Sequence, residues 1–134
     1  MAKPIVFMFS GQGSQYYHMG KELFERHSVF RSWMIKLDDM VLEAVGESVV
    51  EHLYSSEKTK GERFDRLLYT NPAIFMVEFA LAQVLLEEGI KPDCVLGASM
   101  GEITSAAIAG VMDAEDIMRS ILKQAAIYEA NCPR

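Results

Sequence analysis

Ser99 stands at the centre of Gly97-Ala98-Ser99-Met100-Gly101, between an apolar stretch of strand length and a stretch of helical spacing. A serine on a tight strand-to-helix turn has its hydroxyl lifted clear of the sheet, and its neighbours must be small so that the backbones can approach. The same turn places it at the start of a helix, where free backbone N–H groups favour developing negative charge. That chemistry is nucleophilic attack on a carbonyl, with the N–H of Met100 as the expected oxyanion donor. The competing reading is a tight turn whose glycines only permit packing. A second loop, Gly11-Gln12-Gly13-Ser14-Gln15, follows the other strand-like segment. Gly11 and Gly13 free the backbone around Gln12 to turn N–H groups toward a ligand, as a second oxyanion donor or an anion-binding nest. Alone, it reads equally as an ordinary glycine turn.

Other chemistries find little support. His18, His27 and His52 are scattered without ligand spacing and read as helix-surface residues. Cys94 and Cys132 have neither metal spacing nor a Cys-x-x-Cys pairing. They read as two buried or half-buried thiols, with a disulfide as the weaker alternative. No metal site and no cofactor is expected. The formal net charge of -6 and the lack of a Lys/Arg cluster argue against nucleic acid. The longest apolar run, from Pro72 to Leu86, is interrupted by Glu78 and Gln83, so no membrane span is expected. No signal-like segment precedes the first strand, which points to the cytoplasm.

The elements needed to hold the two loops follow from periodicity. Ile5 to Phe9 reads as a strand buried on both faces. Helical spacing runs from about Tyr17 to Phe30, through Met19, Leu23 and His27, and again from Trp33 through Leu37, Val41 and Ala44 to Gly46. Positions 55–66 are polar and read as an exposed loop. Asn71-Pro72 reads as a helix start, Asn71 as cap, and Gly89 closes that helix. Cys94-Val95-Leu96 is the second strand. Helices are expected from about Ser99 to Ala109 and from Asp113, as cap, to about Ala130. This order belongs to an α/β domain with a parallel sheet and flanking helices. Two strands are few for a stable sheet, and the expectation is that residues 1–134 form the N-terminal portion of one larger domain.

Taken together, Phe9-Ser10-Gly11-Gln12-Gly13-Ser14-Gln15 and Gly97-Ala98-Ser99-Met100-Gly101-Glu102 resemble the malonyl-CoA:acyl carrier protein transacylases and the acyltransferase domains of polyketide and fatty acid synthases. Met19-Gly20, Thr70-Asn71-Pro72-Ala73 and Ala109-Gly110-Val111 extend the match over the whole chain. The resemblance implies an α/β-hydrolase-like core, present as its N-terminal half, with the ferredoxin-like subdomain and the remainder missing. It implies an acyl-enzyme on Ser99, an oxyanion hole from the N–H groups of Gln12 and Met100, and ping-pong transfer. The partner implied is an acyl carrier protein bearing a phosphopantetheine thioester, or an acyl-CoA.

Three departures shape the expected activity. Ala98 replaces the family's usual histidine before the nucleophile, opening space beside Ser99. Asn71 stands in the usual Thr-Gln-Pro. Most telling, the arginine that pairs with a malonyl carboxylate falls on Gln124, which offers neither the charge nor the bidentate fork. Lys123 is about 100° and Arg119 about 140° round the helix from that position. A slipped alignment, with a basic residue beyond Arg134 supplying the charge, is the alternative. Loss of the clamp with retention of the serine resembles the trans-acting acyl hydrolases of polyketide pathways, which clear short uncarboxylated acyl groups from carrier proteins. The rivals are an ordinary extender-unit transacylase, a serine esterase of the α/β-hydrolase class, and a non-catalytic carrier-docking module. The family's general-base histidine lies downstream of the serine, whereas all three histidines here precede Ser99. The 134 residues alone are therefore expected to be inactive.

Overall fold

The computed structural model describes residues 2–132. In chain order the elements are β1 (Val6–Phe9), α1 (Lys21–Arg26), α2 (Ser28–Val45), α3 (Val49–Leu53), α4 (Leu67–Glu87), β2 (Cys94–Gly97), α5 (Met100–Ile108) and α6 (Ala114–Asn131). The strands pair in parallel, Val6 opposite Cys94 through Phe9 opposite Gly97. A parallel pair needs a crossover, and here α1 to α4 provide it. The fold is α/β, as expected.

The core is helical. Phe30, Met34, Leu37 and Val41 of α2 meet Phe75 and Met76 of α4, and Ile117, Met118 and Ile121 of α6, in one cluster. A smaller cluster joins Phe7 and Phe9 of β1 to Ala82 of α4. Because helices cover only that face, β1 alternates: Phe7 and Phe9 are buried, while Val6 is 46% and Met8 74% exposed. The expectation of a strand buried on both faces is corrected accordingly.

Several boundaries also differ. The helix expected from Tyr17 to Phe30 is broken at His27, which takes an extended conformation between α1 and α2. The Arg31 guanidinium ties the break by donating to the carbonyls of Phe24 and Glu25. Neither His18, a loop residue with φ 69°, nor His27 lies on a helix surface. The short α3 was not anticipated. Its first N–H groups, from Val49 and Val50, donate to the buried Asp38 carboxylate at 2.7 and 3.1 Å, and Ser48 Oγ donates to it at 2.6 Å. That satisfies orphan donors that five residues could not satisfy themselves.

Helix α4 begins at Leu67, one turn before Asn71, so Asn71 is no cap and Pro72 lies inside the helix. Burial of Tyr69 and Thr70 against the rest of the molecule extends the helix backward past the proline. α4 is long and apolar enough to cross a membrane by length and composition, yet most of it is buried in the core. Asp113 caps α6 as expected, accepting from Glu115 N at 3.1 Å. Cys94 and Cys132 are free and exposed, neither buried nor bridged.

Candidate active site

The turn at the end of β2 is fixed by exclusion. Ser99 has φ 55° and ψ -121°, a conformation that costs a non-glycine residue on the order of 1–3 kcal/mol. A Cβ on Gly97 would lie 2.1 Å from the Gly101 carbonyl oxygen, and one on Gly101 would lie 2.1 Å from the Phe9 carbonyl oxygen. Only hydrogen side chains let β2, α5 and the end of β1 meet so closely. Ala98 N donates to Phe9 O at 3.1 Å, and Gly101 N to Ala98 O at 2.9 Å, completing the turn. Ser99 is left exposed at the start of α5, with Met100 as the first helical residue.

The loop after β1 folds onto this turn. A Cβ on Gly11 would lie 2.5 Å from the Ala98 carbonyl oxygen, 2.7 Å from Ser99 Cβ and 3.2 Å from Met100 N. The two glycine motifs, 86 residues apart by their first glycines (97 minus 11), therefore share one point in space. Hydrogen bonds shape the rest of the loop. Ser14 Oγ donates to Gly11 O at 2.7 Å, and Gly13 N to Gln15 Oε1 at 2.8 Å. Gln15 Nε2 then donates to Phe64 O at 3.0 Å, and Gln12 Nε2 reaches Thr70 Oγ1 at 3.5 Å. Gly13 has φ 106° and its N–H is committed to Gln15, so that N–H is not free for a ligand. Among the described residues the backbone N–H of Gln12 has no such partner.

The remaining candidates lie further out. Asn71 is half-buried on α4, and Gln124 is exposed on α6, where among the described residues no hydrogen bond joins it to either loop. No histidine hydrogen-bonds Ser99 among the described residues. His18 Nε2 meets Lys58 O at 2.5 Å and His52 stacks on Tyr69. No three His, Cys, Asp or Glu side chains converge as metal ligands among the described residues.

Sequence reasoning passed over Glu78. This acid on α4 accepts from Thr104 Oγ1 at 3.1 Å and from Ser10 Oγ at 3.5 Å. Burial pushes its carboxyl up to about 7, against a smaller opposing pull from Thr104 and Ser10. The available signal was a lone acid in an apolar helix, which served only as an argument against a membrane span.

Comparison with known proteins places this geometry. The chain is 51% identical over 134 residues to the polyketide biosynthesis acyltransferase homolog PksD of Bacillus subtilis, covering 100% of this chain and 41% of that protein. It is 52% identical over 132 residues to the corresponding homolog BaeD of Bacillus velezensis, covering 98% of this chain and 41% of that one. The solved acyl transferase domain of ZmaA superposes with a TM-score of 0.86 at 32% identity, over 95% of this chain and 30% of that one. The chain thus spans about two-fifths of the length of these curated relatives. With residues 6–133 matching the acyl transferase domain, the chain belongs to that family.

Proposed function

We propose that this chain carries the nucleophile half of an acyl hydrolase of polyketide biosynthesis, which removes short uncarboxylated acyl groups from acyl carrier protein thioesters. The reading is supported by the close approach of Gly11 to Ser99 and Met100, which brings the Gly11–Gly13 loop beside the serine. In the proposed cycle Ser99 Oγ attacks the thioester carbonyl, and its proton passes through a general base to the departing carrier thiol. The N–H groups of Met100 and Gln12 hold the tetrahedral oxyanion. Water then attacks the Ser99 ester, releasing a carboxylic acid and restoring the hydroxyl. The base is taken to be a histidine outside these residues, as the resemblance to the transacylases implies.

Specificity in this reading rests on Gln124, with Ala98 and Asn71 shaping the pocket. A neutral amide in place of a guanidinium offers a bound carboxylate neither a cation nor a bidentate fork. The Bacillus relatives named as polyketide biosynthesis acyltransferase homologs support the pathway assignment.

The test uses the full natural polypeptide carrying this sequence. It is incubated with carrier protein loaded with acetyl or malonyl groups, and acyl loss is followed by intact mass. Acetyl is expected to leave faster than malonyl. Ser99→Ala should abolish the loss. Preferential transfer of malonyl to a fresh carrier would instead establish an ordinary transacylase.

A further inference from the structure

The two loops that meet at Ser99 are also joined from behind, by one carboxyl group. From Pro72 to Leu86 helix α4 is apolar except at Glu78 and Gln83. Glu78 lies between two elements that the candidate site depends on. Ser10, immediately before Gly11, donates its hydroxyl to Glu78 Oε2 at 3.5 Å. Thr104, fully buried on the second turn of the helix that Ser99 begins, donates to Oε1 at 3.1 Å. We propose that Glu78 is a positioning residue for acyl transfer, holding the Ser10–Gln12 loop and helix α5 at the spacing that turns both sets of N–H groups toward one acyl oxygen. The inference rests on the acyl-enzyme reading of Ser99 and deepens it.

Packing alone does not account for an acid here. The groups facing Glu78 are the hydroxyls of Ser10 and Thr104, the backbone N–H of Ser10, and the apolar side chains of Phe7, Phe9, Ala82 and Leu85 along a cleft of about 380 Å³ between β1 and α4. Among the described residues no cation pairs with it. A leucine would fill such a place without desolvating a charge. What a leucine lacks is a pair of acceptors reaching in two directions, and the carboxylate uses one oxygen for the Ser10 loop and one for helix α5.

Ionisation then matters to geometry. With burial raising the carboxyl from 4.5 to about 7, the folded protein retains a proton that the unfolded chain releases across that window. This group's contribution to stability therefore falls as pH rises from about 4.5 to about 7, then levels off. Above that range both oxygens accept, and the tie to the two hydroxyls is strongest just where the stability cost is complete.

The experiment measures the rate at which Ser99 is labelled by a fluorophosphonate, and single-turnover acylation by acetyl-loaded carrier protein, in the full natural polypeptide. Glu78→Leu should slow both about tenfold or more while thermal unfolding remains cooperative. Glu78→Gln, which keeps one acceptor and adds a donor, should stay within about threefold. Its rate relative to wild type should drift about twofold between pH 6 and 8.5, a ratio in which the titration of the shared general base cancels. Ser10→Ala and Thr104→Val should each slow labelling, less than additively with one another, and this pair carries the test if Glu78→Leu does not fold. A folded Glu78→Leu protein labelled at the wild-type rate would overturn the proposal, as would additive Ser10 and Thr104 effects. Wild-type protein that is never labelled at Ser99 would overturn the acyl-enzyme reading itself, a separate failure.

Discussion

The turn around Ser99 and the loop around Gln12 meet at one point, but exclusion and bonding hold them there in different proportions. The first is fixed by what cannot fit: Cβ atoms on Gly97 or Gly101 would fall within 2.1 Å of backbone carbonyl oxygens. The second shares that exclusion only at Gly11 and is otherwise held by bonds, through Ser14, Gln15, Gln12 and Ser10 side chains reaching Gly11, Phe64, Thr70 and Glu78. Exclusion is rigid and fails all at once. Hydrogen bonds fail one at a time, each worth about 1 kcal/mol net, so the Gln12 loop is the softer partner. In the proposed cycle, a nucleophile on the stiff side and an oxyanion donor on the soft side would let the site close around an acyl group without moving the serine.

The contrast can be broken most severely at Gly101. Gly101→Ala must push α5 off the end of β1, and it should destabilise the protein by about 3 kcal/mol and abolish labelling of Ser99. Denaturant unfolding and fluorophosphonate labelling would read both effects. Gln15→Ala removes two bonds from the soft loop, those to Gly13 N and Phe64 O. It should cost only about 1–2 kcal/mol yet slow acylation about tenfold, separating loop order from global stability. The smallest effect sharpens the comparison from the other direction. Ser99→Gly and Ser99→Ala both lack the hydroxyl, but only glycine relieves the strained backbone at φ 55°. The glycine protein should be the more stable by about 1 kcal/mol, the reverse of the usual helix preference, as thermal unfolding would show. Equal stability, or a more stable alanine, would mean that the turn stores no strain.

What could be read from the residues divides along the same line. Turn and cap chemistry is written locally: Gly97, Ser99 and Gly101 announce their turn through type and spacing, although the atom that excludes a side chain at Gly101 belongs to the distant Phe9, and Asp113 announces the start of α6. Features that depend on distant partners were silent. The break at His27 is stabilised by Arg31 reaching back over it, and α3 exists because Asp38, eleven residues before Val49, accepts its first N–H groups. The local pattern at Asn71-Pro72 marks a helix start so well that the true start, at Leu67, could be found only from the burial of Tyr69 and Thr70. Glu78 belongs with these. Its partners lie 68 and 26 residues away, and no short motif connects them.

The exposed face of the strand pair has a consequence for handling the polypeptide. Val6 and Met8 stand in register with Cys94 and Leu96, and Leu96 is 57% exposed beside Met8. Among the described residues β1 and β2 have no sheet neighbours but each other, so the outer edge of each presents unpaired main-chain donors and acceptors. Asp93 closes one end by bonding Ile5 through both backbone and side chain, at 2.8 and 2.7 Å, and only the four-residue length of each strand limits the edges among the described residues. Such a ribbon is a template for any extended segment in solution. Concentrated samples of these residues would self-associate by adding strands, while the helical core stayed native.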